Sequence, residues 1–328
     1  MTRVAAILPY THLLYSMGAP VDKLLNRARI PLELLNHPAA VVPLKNAFQF
    51  GELACRTQST EHLSLHVGLS ASLDHLGPYG QMLQNALTVY DYLQRGISLY
   101  NMVITGQRLW LPEHGEEFRL NLESDMETGI GAYQSHMESL ITTIAKLREA
   151  TGSDWSPGEV SLAYRARENI PDTDLLAGSR VKQGTGETYL TIPRAILGLR
   201  FPDGDCMPIR DLTLPLERSL PEDLAGVVKI QIDSLLSDHS MQIDTIAESL
   251  AMNSRSLQRS LAKQGLTYSQ LLSETRMRKA AMWLENSDKP IAEIASDLGY
   301  WDASNFTRAF RRQAGVPPLA FRDNARRK

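Results

Sequence analysis

The chain states one pattern twice. Residues 246–265, IAESLAMNSRSLQRSLAKQG, lie over residues 294–315, IASDLGYWDASNFTRAFRRQAG, when Arg259 is set on Arg308, with one extra residue in the turn of the second copy. Each copy opens on Ile-Ala, places a Leu four residues beyond the Ile, breaks, and resumes with an apolar pair at i,i+4: Leu257 with Leu261, then Phe306 with Phe310. Residues four apart share a helix face, so each pair pins a second helix onto the first. Asn253 and Asp302 stand at the break, where a side-chain oxygen can accept from the free N–H groups that open the second helix. Both copies are therefore two short helices joined by a tight turn.

The faces left outward are polar: Arg255, Ser256, Gln258 and Arg259 in the first copy; Ser304, Asn305, Thr307 and Arg308, with Arg312 one turn on, in the second. A second helix that presents Arg, Gln, Asn and Ser near its N-terminus is the layout of a helix-turn-helix. Arg can meet guanine through two hydrogen bonds, Gln or Asn can do the same for adenine, and Ser or Thr serve bases or phosphates. For one copy alone, a plain helical hairpin that wets its polar face is an equal reading. Two copies in register favour double-stranded DNA as the partner. Between them, YSQLLSETRMRKAAMWLEN (268–286) reads as a single helix about 25 Å long at about 1.5 Å per residue. Such a rod can hold two recognition helices about one DNA turn, roughly 34 Å, apart, so that one chain reads two successive major grooves with some bending of the duplex.

Charge points the same way, weakly. From residue 223 the chain carries 15 Lys and Arg against 12 Asp and Glu, and before it 19 against 25, for a net charge of −3. So small a surplus is common on solvated domains and adds only direction to the motif.

At 328 residues, 43% hydrophobic and 22% charged, the chain is sized for two globular domains. PDGDCMPIRDLTLPLERSLP (202–221) carries four prolines and little periodicity, which suits a linker over 206–222 between domains at 1–205 and 223–328. Residues 1–75 have helical periodicity broken at Pro20, Pro31, Pro38 and Pro43. QMLQNALTVYDYLQRG (81–96) is predicted as one amphipathic helix. ISLYNMVITGQRLWLP (97–112) and EEFRLNLE (116–123) are predicted as strands of a hairpin turning at PEHGEE. Residues 131–150 return to helical period, and EVSLAYRAR and ETYLTIP read as further strands. The predicted fold is an α+β N-terminal effector or dimerisation domain followed by an all-α domain with two helix-turn-helix motifs joined by a long helix.

With its two copies and the helix between them, the segment 225–322 resembles the double helix-turn-helix DNA-binding domain of the AraC/XylS transcription regulators. GVPP and the closing FR after the second copy are the most specific part of the resemblance. It implies that Arg255, Gln258 and Arg259 read bases or phosphates in the first unit, and Ser304, Asn305 and Arg308 in the second. Two residues depart from the family pattern: Pro317 stands where Ser is usual, and Trp301 is bulky in a turn where a small polar residue is commoner. The segment HLGPYGQMLQNALTVYDYLQRG is more loosely similar to the N-terminal domain of the ornithine-utilisation and virulence-regulator branch. Helices dominate the first half of that domain, so it does not look like the cupin-type barrel of the arabinose sensor.

The resemblance implies a sequence-specific regulator, an activator by preference, that binds promoter DNA and works with RNA polymerase. Residues 1–205 are expected to form a homodimer and to take a small-molecule effector; the alternative is control by a protein partner. Tyr100, Trp110, Tyr133 and Tyr164, with Trp155 and Tyr189, are candidates to line an effector pocket, although aromatics are more often plain core. The helix 131–150 can serve as a dimer seam or be buried in its own domain. His62 and His66 have i,i+4 spacing, but no Cys or carboxylate completes a metal site, and packing or surface roles suit them better. No cofactor and no metal is expected. An enzyme is disfavoured because GxSxG, P-loop, GxGxxG and HExxH patterns are all missing. No apolar stretch nears the roughly 18 residues that span a bilayer, and Cys55 and Cys206 form no CxxC pair. The expectation is a cytoplasmic protein without a membrane partner.

Overall fold

The computed structural model of the chain describes residues 1–70, 72–126, 129–202, 219–221, 223–236 and 242–325. They divide into two compact units, 1–38 with 42–220, and 39–41 with 221–328. The predicted linker 206–222 lies, apart from 219–221, outside the described residues.

The first unit opens with the short strands β1 (Thr2–Arg3) and β2 (Val41–Val42) and the helices α1 (Leu8–Ser16), α2 (Val21–Arg27), α3 (Leu44–Gln58), α4 (Leu63–Ser70), α5 (Pro78–Gln84) and α6 (Val89–Leu99). Strands β3 (Gln107–Trp110), β4 (Glu113–His114) and β5 (Glu117–Ser124) precede the long helix α7 (Ile130–Thr151). Strands β6 (Glu159–Leu162), β7 (Arg180–Gln183) and β8 (Thr188–Pro193) complete a six-stranded sheet of order β3-β5-β8-β6-β7, with β4 on β5. Every pairing is antiparallel except β6 with β7. β5 alternates, burying Phe118, Leu120 and Leu122 while Arg119 and Asn121 stay partly exposed, as a strand with one wet face must. Central β8 buries Thr188 to Ile192 without a break.

Helix α7 is the spine of this unit. Tyr133, Met137, Leu140, Ile141, Ile144 and Leu147 join Phe118, Leu120, Val160, Leu162, Leu190 and Ile192 in one core. Only Glu149 of its 22 residues is exposed. It is buried in its own domain and offers no free face for a dimer seam. Gly68 lets α4 close upon it, because a Cβ there would stand 2.8 Å from Ile141 Cγ2.

Local chemistry overrides the sequence pattern in three places. The helix predicted over 81–96 is two helices, because Thr88 accepts from the Asp91 N–H at 3.2 Å while the Asp91 carboxylate accepts from Leu87 at 2.8 Å, a cap that starts α6 afresh. The strand expected from Ile97 starts only at Gln107; Ile97 to Leu99 finish α6 and a 3-10 turn follows over Tyr100–Met102. The strand expected over 159–167 stops at Leu162, and β7, on the edge with mostly polar residues, gave no alternating signal.

The second unit is all helical in its described residues: α8 (Leu224–Leu235), α9 (Ile243–Ser249), α10 (Ser254–Lys263), α11 (Tyr268–Asn286), α12 (Ile291–Asp297), α13 (Ala303–Ala314) and α14 (Pro318–Ala325). α11 has the predicted bounds and begins with a full capping box, Thr267 with Gln270. It buries Leu271, Thr275, Ala280 and Leu284, and leaves Leu272, Met277 and Ala281 half-buried.

Candidate nucleic-acid interface

The repeat becomes two helix pairs, α9 with α10 and α12 with α13. Each closes on the residues the pattern named: Ile246, Ala247, Leu257 and Leu261 in the first, Ile294, Ala295, Phe306 and Phe310 in the second, all at most 2% exposed. Each turn reverses through one left-handed residue. In the second unit that residue is Gly299, φ 73°, which pays no steric penalty; in the first it is Ala251, φ 55°, whose Cβ makes the same conformation strained. Both caps form: Asn253 accepts from the Ser256 N–H at 2.8 Å, and Asp302 from the Asn305 N–H at 2.7 Å.

The outward residues are where the sequence put them. Arg255, Gln258 and Arg259 on α10 are exposed and Ser256 is half-buried; Ser304, Asn305, Arg308 and Arg312 on α13 are exposed and Thr307 is half-buried. In the second unit they are linked. Asn305 Nδ2 donates to the Asp302 carboxylate at 2.7 Å, and Arg308 donates to Asn305 Oδ1, so the cap holds the amide and the amide holds the guanidinium. Ser256 takes the place of Asn305 in the first unit and has no such arm for Arg259. There, Ser254 donates to Asp244 and ties α10 back to α9.

Trp301, the extra residue of the second turn, is 98% exposed one position before the cap of α13. It leaves the helix pair intact and places an aromatic ring beside the N-terminus of the recognition helix, the end that reaches base edges in a helix-turn-helix.

Electrostatics sets the basic residues of α10 and α13 apart from others of this unit. Neither α10 nor α13 contains an acidic residue, while they carry Arg255, Arg259 and Lys263, and Arg308, Arg311 and Arg312. None of these six has an ion-pair partner among the described residues, whereas Lys229 pairs with Glu274, Lys279 with Asp233, and Lys289 with Glu293 and Asp297. The small net surplus thus understates the uncompensated charge on the two recognition helices. Lys263 and Arg311 were missed as candidates, although their place in acid-free helices was visible in the sequence.

Four further residues hold the second unit in place. Arg276 of α11 donates to the Gly299 carbonyl at 3.2 Å and lies 4.8 Å over the Tyr300 ring, with burial lowering its pKa. Gln313 of α13 donates to Ser273 of α11 at 2.7 Å. The FR that closes the motif has a physical role: Phe321 packs edge-on to Phe310 at 5.4 Å, and buried Arg322 donates to the Lys289 carbonyl. Pro317 precedes α14 and is exposed, so the missing Ser leaves the helix start unharmed.

Of the aromatic candidates Tyr100, Trp110, Tyr133 and Tyr164, the structure brings only Tyr133 and Tyr164 together. Tyr100 lines a cavity. Tyr133 in the core meets half-buried Tyr164 at a tilt, ring centres 5.6 Å apart, and Trp110 lies under Arg108 on edge strand β3. His62 is buried with its ring nitrogens on the Tyr133 hydroxyl at 2.8 Å and the Glu168 carbonyl at 3.2 Å, and His66 is exposed.

Comparison with known proteins follows the two units. Residues 246–324 match the helix-turn-helix domain family. Residues 18–201, more than half the chain, match the family described as the arabinose-binding domain of AraC transcription regulators, N-terminal. The chain is 24% identical over 334 residues to the HTH-type transcriptional regulator VirS of Mycobacterium tuberculosis, covering 98% of this chain and 96% of that one. It is 23% identical over 315 residues to the uncharacterized HTH-type transcriptional regulator Rv1395 of the same organism, covering 93% and 91%. The ornithine utilization regulator of Pseudomonas aeruginosa is 41% identical over 81 residues, 25% of this chain and 24% of that one. The N-terminal match carries the arabinose sensor's description, where the sequence pointed away from that sensor's barrel. Here the sheet is an open path with β3 and β7 at its ends. No helix among the described residues is long and apolar enough to cross a membrane.

Proposed function

The chain belongs to the AraC family of transcription regulators, with a helix-turn-helix DNA-binding domain and an arabinose-binding-type N-terminal domain, and on that premise we propose how it works. Residues 223–328 bind promoter DNA through two recognition helices, Arg255, Ser256, Gln258 and Arg259 reading one half-site and Ser304, Asn305, Thr307, Arg308 and Arg312 the other. Residues 1–205 sense a small molecule and dimerise, residues 206–222 join the two parts, and the bound protein recruits RNA polymerase as an activator. One observation carries the DNA reading: two acid-free helices present six basic side chains that have no ion-pair partner among the described residues, while Lys229, Lys279 and Lys289 of the same unit are paired with carboxylates.

A fragment of residues 220–328 tests it by titration against promoter DNA at several salt concentrations. Binding that weakens with salt, by about 0.9 in log K per log unit of salt for each phosphate contacted, is expected. A folded fragment that binds no promoter DNA, or binds without salt dependence, refutes the reading. Sensing is tested apart from it, by whether a metabolite changes the promoter affinity of the full chain; a protein partner that does so in its place would favour the alternative control.

A further inference from the structure

We propose that the N-terminal domain holds a site for a small primary amine carried on one ring or a short alkyl chain, with the Glu138 carboxylate as its anchor. The proposal rests on the reading of that domain as a sensor and adds the place and the chemistry.

Glu138 stands on α7 where two cavities adjoin, of about 130 and 60 Å³; Ala6, Ile104, Ser135 and Glu138 line both. The larger is walled by α5, α6, α7 and the sheet, with Tyr79, Leu83, Tyr92 and Leu120 among its lining. An apolar cavity of about 150 Å³ accommodates a benzene ring, so the larger one suits a single ring or a chain of similar bulk. Two of its three tyrosine hydroxyls meet amide oxygens of the fold: Tyr100 donates to Gln107 Oε1 at 2.9 Å, and Tyr79 reaches the Gly96 carbonyl at 3.5 Å.

Among the hydroxyls of Tyr92, Ser135, Ser139, Thr142 and Thr143, Glu138 is the one acidic side chain of the two linings. Tyr10 stands beside it with its hydroxyl donating to the Gln134 carbonyl at 3.1 Å, and no Lys, Arg or His among the described residues pairs with it. The one imidazole of the lining, His75, is kept neutral near pH 7 because burial lowers its pKa. Glu138 is half-buried, and the apolar surround of its carboxyl raises it to about 8, which favours the protonated form at neutral pH. A neutral apolar guest would gain nothing from it, and a carboxylate guest could accept from it only while it keeps its proton. An ammonium is complementary: Glu138 gives its proton to solvent, and the carboxylate and the ammonium form a charge-assisted hydrogen bond in an apolar surround. The seat of the pair is α7, the helix most deeply fixed in the domain, so occupancy acts directly on the core.

The test is calorimetry on the full chain at pH 7 with phenethylamine, 2-phenylethanol and phenylacetate as probes, in two buffers of different ionisation enthalpy. Phenethylamine should bind with release of about one proton. Glu138→Gln, which keeps the shape and removes the charge, should weaken it by about tenfold to a hundredfold and leave 2-phenylethanol unchanged. Gly96→Leu fills the larger cavity, where a Cβ would meet only Leu83 at 3.9 Å, and should abolish both. Equal binding of phenethylamine by wild type and Glu138→Gln, or none by wild type, overturns the site. Binding of phenylacetate without phenethylamine overturns the amine chemistry and leaves sensing intact. Sensing itself stands or falls on the metabolite-dependent promoter affinity described above.

Discussion

The two helix-turn-helix units share a scaffold and differ in how firmly they hold what they present. The second turns at a glycine, packs Tyr300, Phe306, Phe310 and Phe321 ring against ring, and is tied to α11 through Arg276 and Gln313. Its reading arginine is held through Asn305 by the helix cap. The first turns at a strained alanine, packs two leucines, and leaves Arg259 without such an arm. Side chains ordered before binding lose less entropy on binding. Under the proposed function the second unit would serve as the anchor and the first as the adaptable reader, and their different faces, Arg255 and Gln258 against Ser304 and Thr307, would suit an asymmetric operator.

The largest effect that can break this comparison is in the cores. Phe306→Ala should cost about 3–5 kcal/mol and Leu257→Ala about 2–5 kcal/mol, read by denaturant unfolding of the 220–328 fragment. A costlier Leu257→Ala would reverse the ranking of the units. At the surface, Arg308→Ala and Arg259→Ala should each lose about 1–3 kcal/mol of DNA affinity if they contact bases, with Arg308→Ala the larger loss. Unchanged binding in both at moderate salt sinks the assignment. Asn305→Ala should lose part of what Arg308→Ala loses, since it frees the guanidinium without removing it. A loss in Asn305→Ala that simply adds to that of Arg308→Ala in the double variant would show that the arm does not act through the arginine. The smallest change is Ala251→Gly, which relieves the left-handed alanine and should stabilise the fragment by up to about 1 kcal/mol. Destabilisation there would mean that the strain is not felt.

Much of the second unit was legible because helix periodicity, caps and the i,i+4 pairs all point to the same elements. The bounds of α11 and both caps follow from local chemistry alone. What escaped was set by tertiary partners. Arg276 and Arg322 count as basic surface in the sequence, yet the structure turns them onto backbone carbonyls, and Lys289 is held by the carboxylates of Glu293 and Asp297. In the first unit, the restart of α6 at Thr88 and Asp91 was readable as a cap but masked by continuous apolar periodicity. The placing of Tyr100 at a cavity and of Tyr133 in the core depends on contacts across more than thirty residues, and so does the approach of Glu138 to the lining of both cavities.

The central claim is that the two recognition helices read different half-sites from one chain. A base-by-base substitution scan of a bound promoter, measured with wild type, Arg259→Ala and Arg308→Ala, tests it directly. Each variant should lose discrimination over its own cluster of base pairs, the two clusters lying about one helical turn, roughly 10.5 base pairs, apart. Loss of discrimination at the same base pairs in both variants, or at none, would contradict the account.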